Sequence, residues 1–275
     1  MGIFDLPTIV DQIRAETEHQ KIFVIGHSQG STLFLVGASE VPELNDKIHA
    51  AYLMAPAAFL GGAYEPFLTS VLPLLITPFE NFLFTIFAGR IQRKNTRLMA
   101  LLSSFQLHDI CQPRILRCGL CGTVFGTNTF NPTQMNYTNI PRMVSKLFNV
   151  ENFRSSIHFG QQIRSCGFRY YDHGPAGNLK RYGTEVPPNY KLERVTAPLH
   201  LLWAEQDSIV TPTDVQKLAE SLSPQTLKSV TRINDDTFDH TDFSVARDAN
   251  ILVYEPLIAK MTKAWEEIVG GSSTR

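Results

Sequence analysis

The run FVIGHSQGST, residues 23–32, constrains this chain more than any other stretch of it. β-Branched and aromatic residues build a strand, which breaks into Gly26-His27-Ser28-Gln29-Gly30 ahead of a helix-forming segment. Gly-x-Ser-x-Gly between a strand and a helix is the nucleophile elbow, in which a serine is held on a strained turn. Small residues are expected at both ends, because a side chain at Gly26 or Gly30 would collide with the neighbouring strand or helix. The helix that follows aims its unpaired N–H groups where a developing oxyanion would lie. Ser28 is therefore the candidate nucleophile, and the backbone N–H of Gln29 a candidate oxyanion donor. The plainer alternative is an ordinary strand-to-helix turn carrying an incidental serine.

The surrounding rhythm is that of an α/β core with a mostly parallel sheet. Leu6, Ile9, Val10 and Ile13 recur at helical spacing over residues 6–18, and residues 21–25 read as a strand. A helix is expected after Gly30 to about Ser39, stopped by Pro42, and then a buried strand over residues 48–54. Residues 57–194 are helical, aromatic and loop-rich, with no βαβ repeat. The earlier rhythm then returns. Strands are expected at 199–203 and 229–233, a helix with Thr211 as N-cap at 212–222, and a closing helix at 249–268. The economical parse is one core, residues 1–56 and 195–275, split by a cap at 57–194. A chain of 275 residues with 43% hydrophobic content can bury such a core.

A serine elbow needs a base and an orienting acid, supplied on this kind of sheet in the order Ser, Asp, His. Among eight histidines, His240 alone stands in a loop after the last strand and before the last helix. His27 lies inside the elbow with its side chain expected to point away from that of Ser28. His19 and His49 flank strands, His108, His158 and His173 fall in the insertion, and His200 sits within a strand. For the acid, LLWAEQD runs off a strand end and makes Asp207 the natural orienter, with Glu205 and Asp214 as rivals. The segment NDDTFDHTD around His240 lacks the central Gly and terminal Glu of a calcium loop, so its other acids are read as solvating the loop.

Several function classes are disfavoured. A net charge of −1 without a dominant Lys/Arg cluster argues against a nucleic-acid partner. Residues 1–20 show no basic-then-apolar pattern, so no signal peptide is read in this chain. The apolar stretch 67–89 contains Pro73, Pro78, Glu80 and Asn81, which suit apolar cap helices rather than a transmembrane segment. Cys111, Cys118 and Cys121 suggest a short disulfide loop or a metal knuckle. A zinc site would need a second ligand pair, which lone Cys166 and scattered histidines do not supply, so no metal is expected. Asn136-Tyr137-Thr138 is a glycosylation sequon.

Nearly the whole chain resembles the acid lipases, the gastric and lysosomal group with its insect digestive relatives. The resemblance rests on DLPTIVDQI, GHSQGST, YLMAPAAFL, YYDHGPAGNLKRYGTEVPPNY, VTAPLHLLWAEQDSIVTP and DHTDFSVARDANILVYEPLI. It implies an α/β-hydrolase fold with a helical cap, hydrolysing triacylglycerols or sterol esters at an oil–water or membrane interface without a cofactor. It also implies a monomer, secreted or lysosomal. Ser28, Asp207 and His240 fall on the family's triad positions. A late cysteine pair in the family's cap corresponds to Cys111 and Cys121, leaving Cys118 and Cys166 extra. The aromatic residues of 79–87 would shape an acyl pocket.

Family members carry further sequence ahead of DLPTIVDQI, with a signal peptide, the first strands and a His-Gly loop that supplies the second oxyanion donor. The expectation is therefore a sheet incomplete at its N-terminal side. Two other functions stay open: a truncated form that binds lipid without turnover, and a serine carboxylesterase or thioesterase that is not a lipase.

Overall fold

In the computed structural model the described residues are 1–64, 131, 133–135 and 153–272. The apolar stretch 67–89, Cys111, Cys118, Cys121 and Asn136 lie outside them. The chain divides into two compact units, one of Met1–Ala58 with Tyr190–Arg275 and one of Phe59–Asn189.

The first unit is built on a four-stranded sheet in the order β1 (Ile22–His27), β2 (Ile48–Met54), β3 (Leu199–Trp203), β4 (Leu227–Arg232). Every pairing is parallel. The central strands IHAAYLM and LHLLW are nearly continuous apolar runs because both of their faces are covered. β4, LKSVTR, alternates half-buried with exposed residues, as suits the sheet edge. β1 is the other edge among the described residues, and its Ile25 is 50% exposed despite an apolar sequence. Parallel register brings the C-terminal ends of all four strands to one side, where loops can converge on a site.

Helix α1 (Asp5–Thr17) precedes β1, and α2 (Gln29–Glu40) follows it directly. α2 is buried almost all round, from Ser31 through Ser39. Its buried hydroxyls are satisfied locally: Ser31 donates to the Gly26 carbonyl at 2.9 Å and Thr32 to the Ala57 carbonyl at 2.6 Å. Asn45 ties the two sequence halves of the core together. Its Nδ2 donates to the Ala38 and Pro42 carbonyls, and its Oδ1 accepts from the N–H groups of Thr196 and Ala197.

In the second unit, α3 (Phe153–Ser165) and α4 (Pro175–Tyr182) bracket a segment organised by buried Asn178. Asn178 Oδ1 accepts from His173 N–H, and its Nδ2 donates to Asp172 and to the Glu185 carbonyl. In the first unit, α5 (Pro212–Ser221) is capped by Thr211, whose hydroxyl accepts from Asp214 N–H and donates to Asp214 Oδ2. α6 (Asp242–Val245) and α7 (Glu255–Ser272) follow β4.

Three local expectations need correction. α2 begins at Gln29 rather than after Gly30, because Ser28 itself occupies the cap position. The closing helix is not uniform: Asn250–Tyr254 forms a wider π turn before α7. His49 lies within β2 rather than beside it.

Candidate active site

β1 ends at His27 and α2 starts at Gln29, so a single residue must reverse the chain. Ser28 does so at φ 52°, ψ −114°, a left-handed conformation costly for any residue with a Cβ. The turn is held from both sides. Ser28 N–H donates to the Met54 carbonyl at 3.0 Å, and the Ser28 carbonyl accepts from Ser31 N–H at 3.0 Å.

A Cβ on Gly26 would stand 2.8 Å from Ser31 N and 2.9 Å from the Gly30 carbonyl carbon, so only glycine fits. Gly30 departs from the expectation. Among the described residues a Cβ there meets nothing within 4 Å, because the residue is already part of α2. As the first residue of α2, Gln29 carries an N–H with no partner inside the helix.

Ser28, Asp207 and His240 come together. Ser28 Oγ lies 2.8 Å from His240 Nε2, and His240 Nδ1 lies 2.9 Å from Asp207 Oδ2. A carboxylate only accepts, so the tautomer satisfying both bonds carries its proton on Nδ1 and leaves Nε2 to accept from Ser28. Asp207 is 1% exposed and aimed by its own loop, its Oδ1 accepting from the N–H groups of Ile209 and Val210 at 2.9 and 2.7 Å. Gln206 N–H donates to the Phe238 carbonyl, fastening the acid's loop to the base's. Burial works against a charged His240, but the Asp207 carboxylate, by charge and hydrogen bond, together with the charge of Asp239 raises its pKa above the ordinary value.

The rival acids are engaged elsewhere. Glu205 pairs with Arg232, and Asp214 serves the cap of α5. The expectation that the acids around His240 solvate their loop is wrong for two of them. Asp239 and Asp242 are buried, at 3% and 2% exposure. Asp239 Oδ1 accepts from Thr241 N–H and from Asp242 N–H, while Asp242 Oδ2 accepts from Asp239 N–H. This reciprocal pairing wraps the loop that carries the base. Burial first, and the nearby Asp242 charge second, push the Asp239 carboxyl up to about 7.

His27, expected to point away from Ser28, lies with its ring against His240, centroids 5.2 Å apart. Asn45, Asp239 and Asp242 carried no motif signal, since short polar side chains that organise loops look alike in sequence whether buried or exposed. Among the described residues, no group of three or more His, Cys, Asp or Glu could hold a metal ion.

The chain is similar to known lipases and hydrolases. The chain is 28% identical over 262 residues to Lipase 3 of Drosophila melanogaster, covering 95% of this chain and 64% of that protein. It is 27% identical over 264 residues to the gastric triacylglycerol lipase of Bos taurus, covering 96% and 63%. It thus spans a little under two thirds of these curated relatives. A soluble variant of monoglyceride lipase from Saccharomyces cerevisiae, solved with a substrate analogue, shares the fold at a TM-score of 0.52 and 15% identity, covering 95% of this chain and 68% of that one. A family profile described as the alpha/beta hydrolase fold matches residues 1–245. A parallel sheet with a serine on the sharp turn after one strand, and an acid and a histidine delivered in order by later loops, is the arrangement that this match leads one to find, and the chain belongs to the alpha/beta hydrolase fold family.

Proposed function

We propose that this protein is a serine hydrolase of lipid esters that uses Ser28 as nucleophile, His240 as base and Asp207 as orienter. The observation carrying the proposal is the continuous hydrogen-bond chain from Ser28 Oγ through His240 to Asp207 on a strained elbow. In the reaction, His240 Nε2 takes the Ser28 proton as Oγ bonds to the ester carbonyl carbon. Asp207 holds the imidazole in its tautomer and stabilises the imidazolium. The oxyanion rests on donors that include Gln29 N–H. The imidazolium then gives its proton to the departing alcohol, and water, deprotonated by His240, releases the acid and restores Ser28.

Neutral-lipid esters, triacylglycerol or sterol ester, are the proposed substrates, supported by relatives named as lipases and as gastric triacylglycerol lipase. The word gastric in one of those names supports a secreted setting; a lysosomal alternative, and action at a lipid surface by a monomer without a cofactor, are part of the same proposal. Among the described residues no helix is long and apolar enough to cross a membrane. Residues 57–194 are proposed as the cap that selects the acyl chain.

The test is hydrolysis of an emulsified long-chain triacylglycerol beside a soluble short-chain ester, with Ser28→Ala in parallel. The expected result is turnover of both substrates, with loss on the order of 10⁶-fold in the variant. Turnover of the soluble ester alone would point to a carboxylesterase. Turnover that survives Ser28→Ala would end the proposal.

A further inference from the structure

The elbow's own histidine has a use that the triad does not account for. His27 Nε2 lies 3.0 Å from the main-chain carbonyl of His240, and its Nδ1 lies 3.1 Å from Ser244 Oγ. Its ring packs against His240 at 5.2 Å and against Phe243 at 5.7 Å, tilted by 36° and 37°. One side chain from the strand end next to the nucleophile therefore holds the loop that carries the base.

A carbonyl only accepts, so the bond to His240 requires a proton on His27 Nε2. Nδ1 is then left to accept the Ser244 hydroxyl. Resting on the triad reading above, we propose that His27 is a positioning residue: it clamps residues 240–244 to the elbow, and so keeps His240 Nε2 within reach of Ser28 Oγ.

Nothing else described at the elbow reaches the His240 carbonyl. The ring is also suited to stay uncharged beside a base that becomes cationic during the reaction. Burial first, and repulsion from His240 second, push its pKa down to about 4, against the opposing pull of its bond to His240 and of the Asp207 charge. A lysine or arginine could supply the same donor, but only with a permanent charge facing the imidazolium.

The test compares His27→Phe, His27→Gln and Ser28→Ala with the wild-type chain on a soluble short-chain ester, with folding checked by near-UV circular dichroism. Phenylalanine keeps a packed ring and removes both hydrogen bonds. Glutamine restores a donor at the position of Nε2. His27→Phe should lower kcat by about 10²-fold while leaving KM nearly unchanged, as a misplaced base does. His27→Gln should recover most of that loss, a rescue that a purely structural role for the ring would not give. Wild-type kcat in His27→Phe, or equal losses in both variants, would overturn the clamp. Loss of activity in Ser28→Ala with an unimpaired His27→Phe would leave the triad standing and remove only the clamp; full activity in Ser28→Ala would instead sink the triad. A second measurement needs neither turnover nor a folded variant. Imidazole ¹⁵N correlation spectra of the wild-type chain at pH 7 should show His27 as the neutral tautomer protonated on Nε2, and a proton on Nδ1 or an imidazolium would contradict the proposal.

Discussion

Around His240, two carboxylates act on the imidazole and a third braces its loop. Asp207 orients it and raises its pKa, Asp239 adds charge nearby, and Asp242 pins the Asp239 backbone. In the proposed mechanism His240 must be neutral to act as base, so kcat/KM should fall as pH drops through a pKa above the usual value of about 6.5. Asp207→Asn should lower kcat by about 10⁴-fold by allowing the wrong tautomer, and should shift that acid limb downward. A pH–rate profile checks both.

Asp239 gives a separate prediction. Its folded-state pKa, about 7, is raised above the value for an unfolded aspartate, so its favourable contribution is complete below about pH 4 and lost as pH rises towards and through 7. Asp239→Asn keeps an acceptor for Thr241 and Asp242 and removes the charge. It should be close to neutral at pH 4 and stabilising at pH 8, by up to about 4 kcal/mol, as read from denaturant melts at the two pH values. Equal effects at both would show that Asp239 is not held protonated by burial. Ser28, Asp207 and His240 were legible because chain order and loop position distinguish them. The Asp239–Asp242 pairing was not, since burial depends on tertiary packing that short polar residues do not announce; both carboxylates stand beside phenylalanines, Phe238 and Phe243, whose rings pack at 5.2 Å.

At the scale of elements, the strand–turn–helix unit is where local sequence and fold agree best. β2 and β3 start and end where apolar runs meet turn residues, and Thr211 caps α5 because its hydroxyl can reach the N–H of the helix's third residue, Asp214. Thr211→Ala should cost about 1 kcal/mol in a thermal or denaturant melt. The two glycines of the elbow should behave oppositely, although the motif treats them alike. Gly26→Ala drives a Cβ into backbone 2.8 Å away and should abolish activity or folding. Gly30→Ala meets nothing within 4 Å among the described residues and should be tolerated or stabilise by up to about 1 kcal/mol. Comparable damage from both would mean that the turn is looser than these distances describe. The π turn at Asn250–Tyr254 left no trace in the hydrophobic period, because one wide turn within a long helical stretch barely alters the spacing of apolar residues.

For the molecule as a whole, the alternation of strands and helices before residue 57 and after residue 195 was enough to predict the parallel sheet. What joins those segments is less visible: Asn45 bonds to five backbone groups drawn from both, and one asparagine among many carries no such label in sequence. The convergence of Ser28, Asp207 and His240, separated by most of the chain, depends on that sheet, and the proposed chemistry depends on the convergence. The most direct test is covalent labelling of the folded chain with a fluorophosphonate, followed by peptide mapping. The account predicts one phosphonyl group per chain, on Ser28, absent in Ser28→Ala and added more slowly as pH falls through the pKa of His240. An adduct on another serine, or labelling of the folded protein that is unchanged in Ser28→Ala, would contradict it.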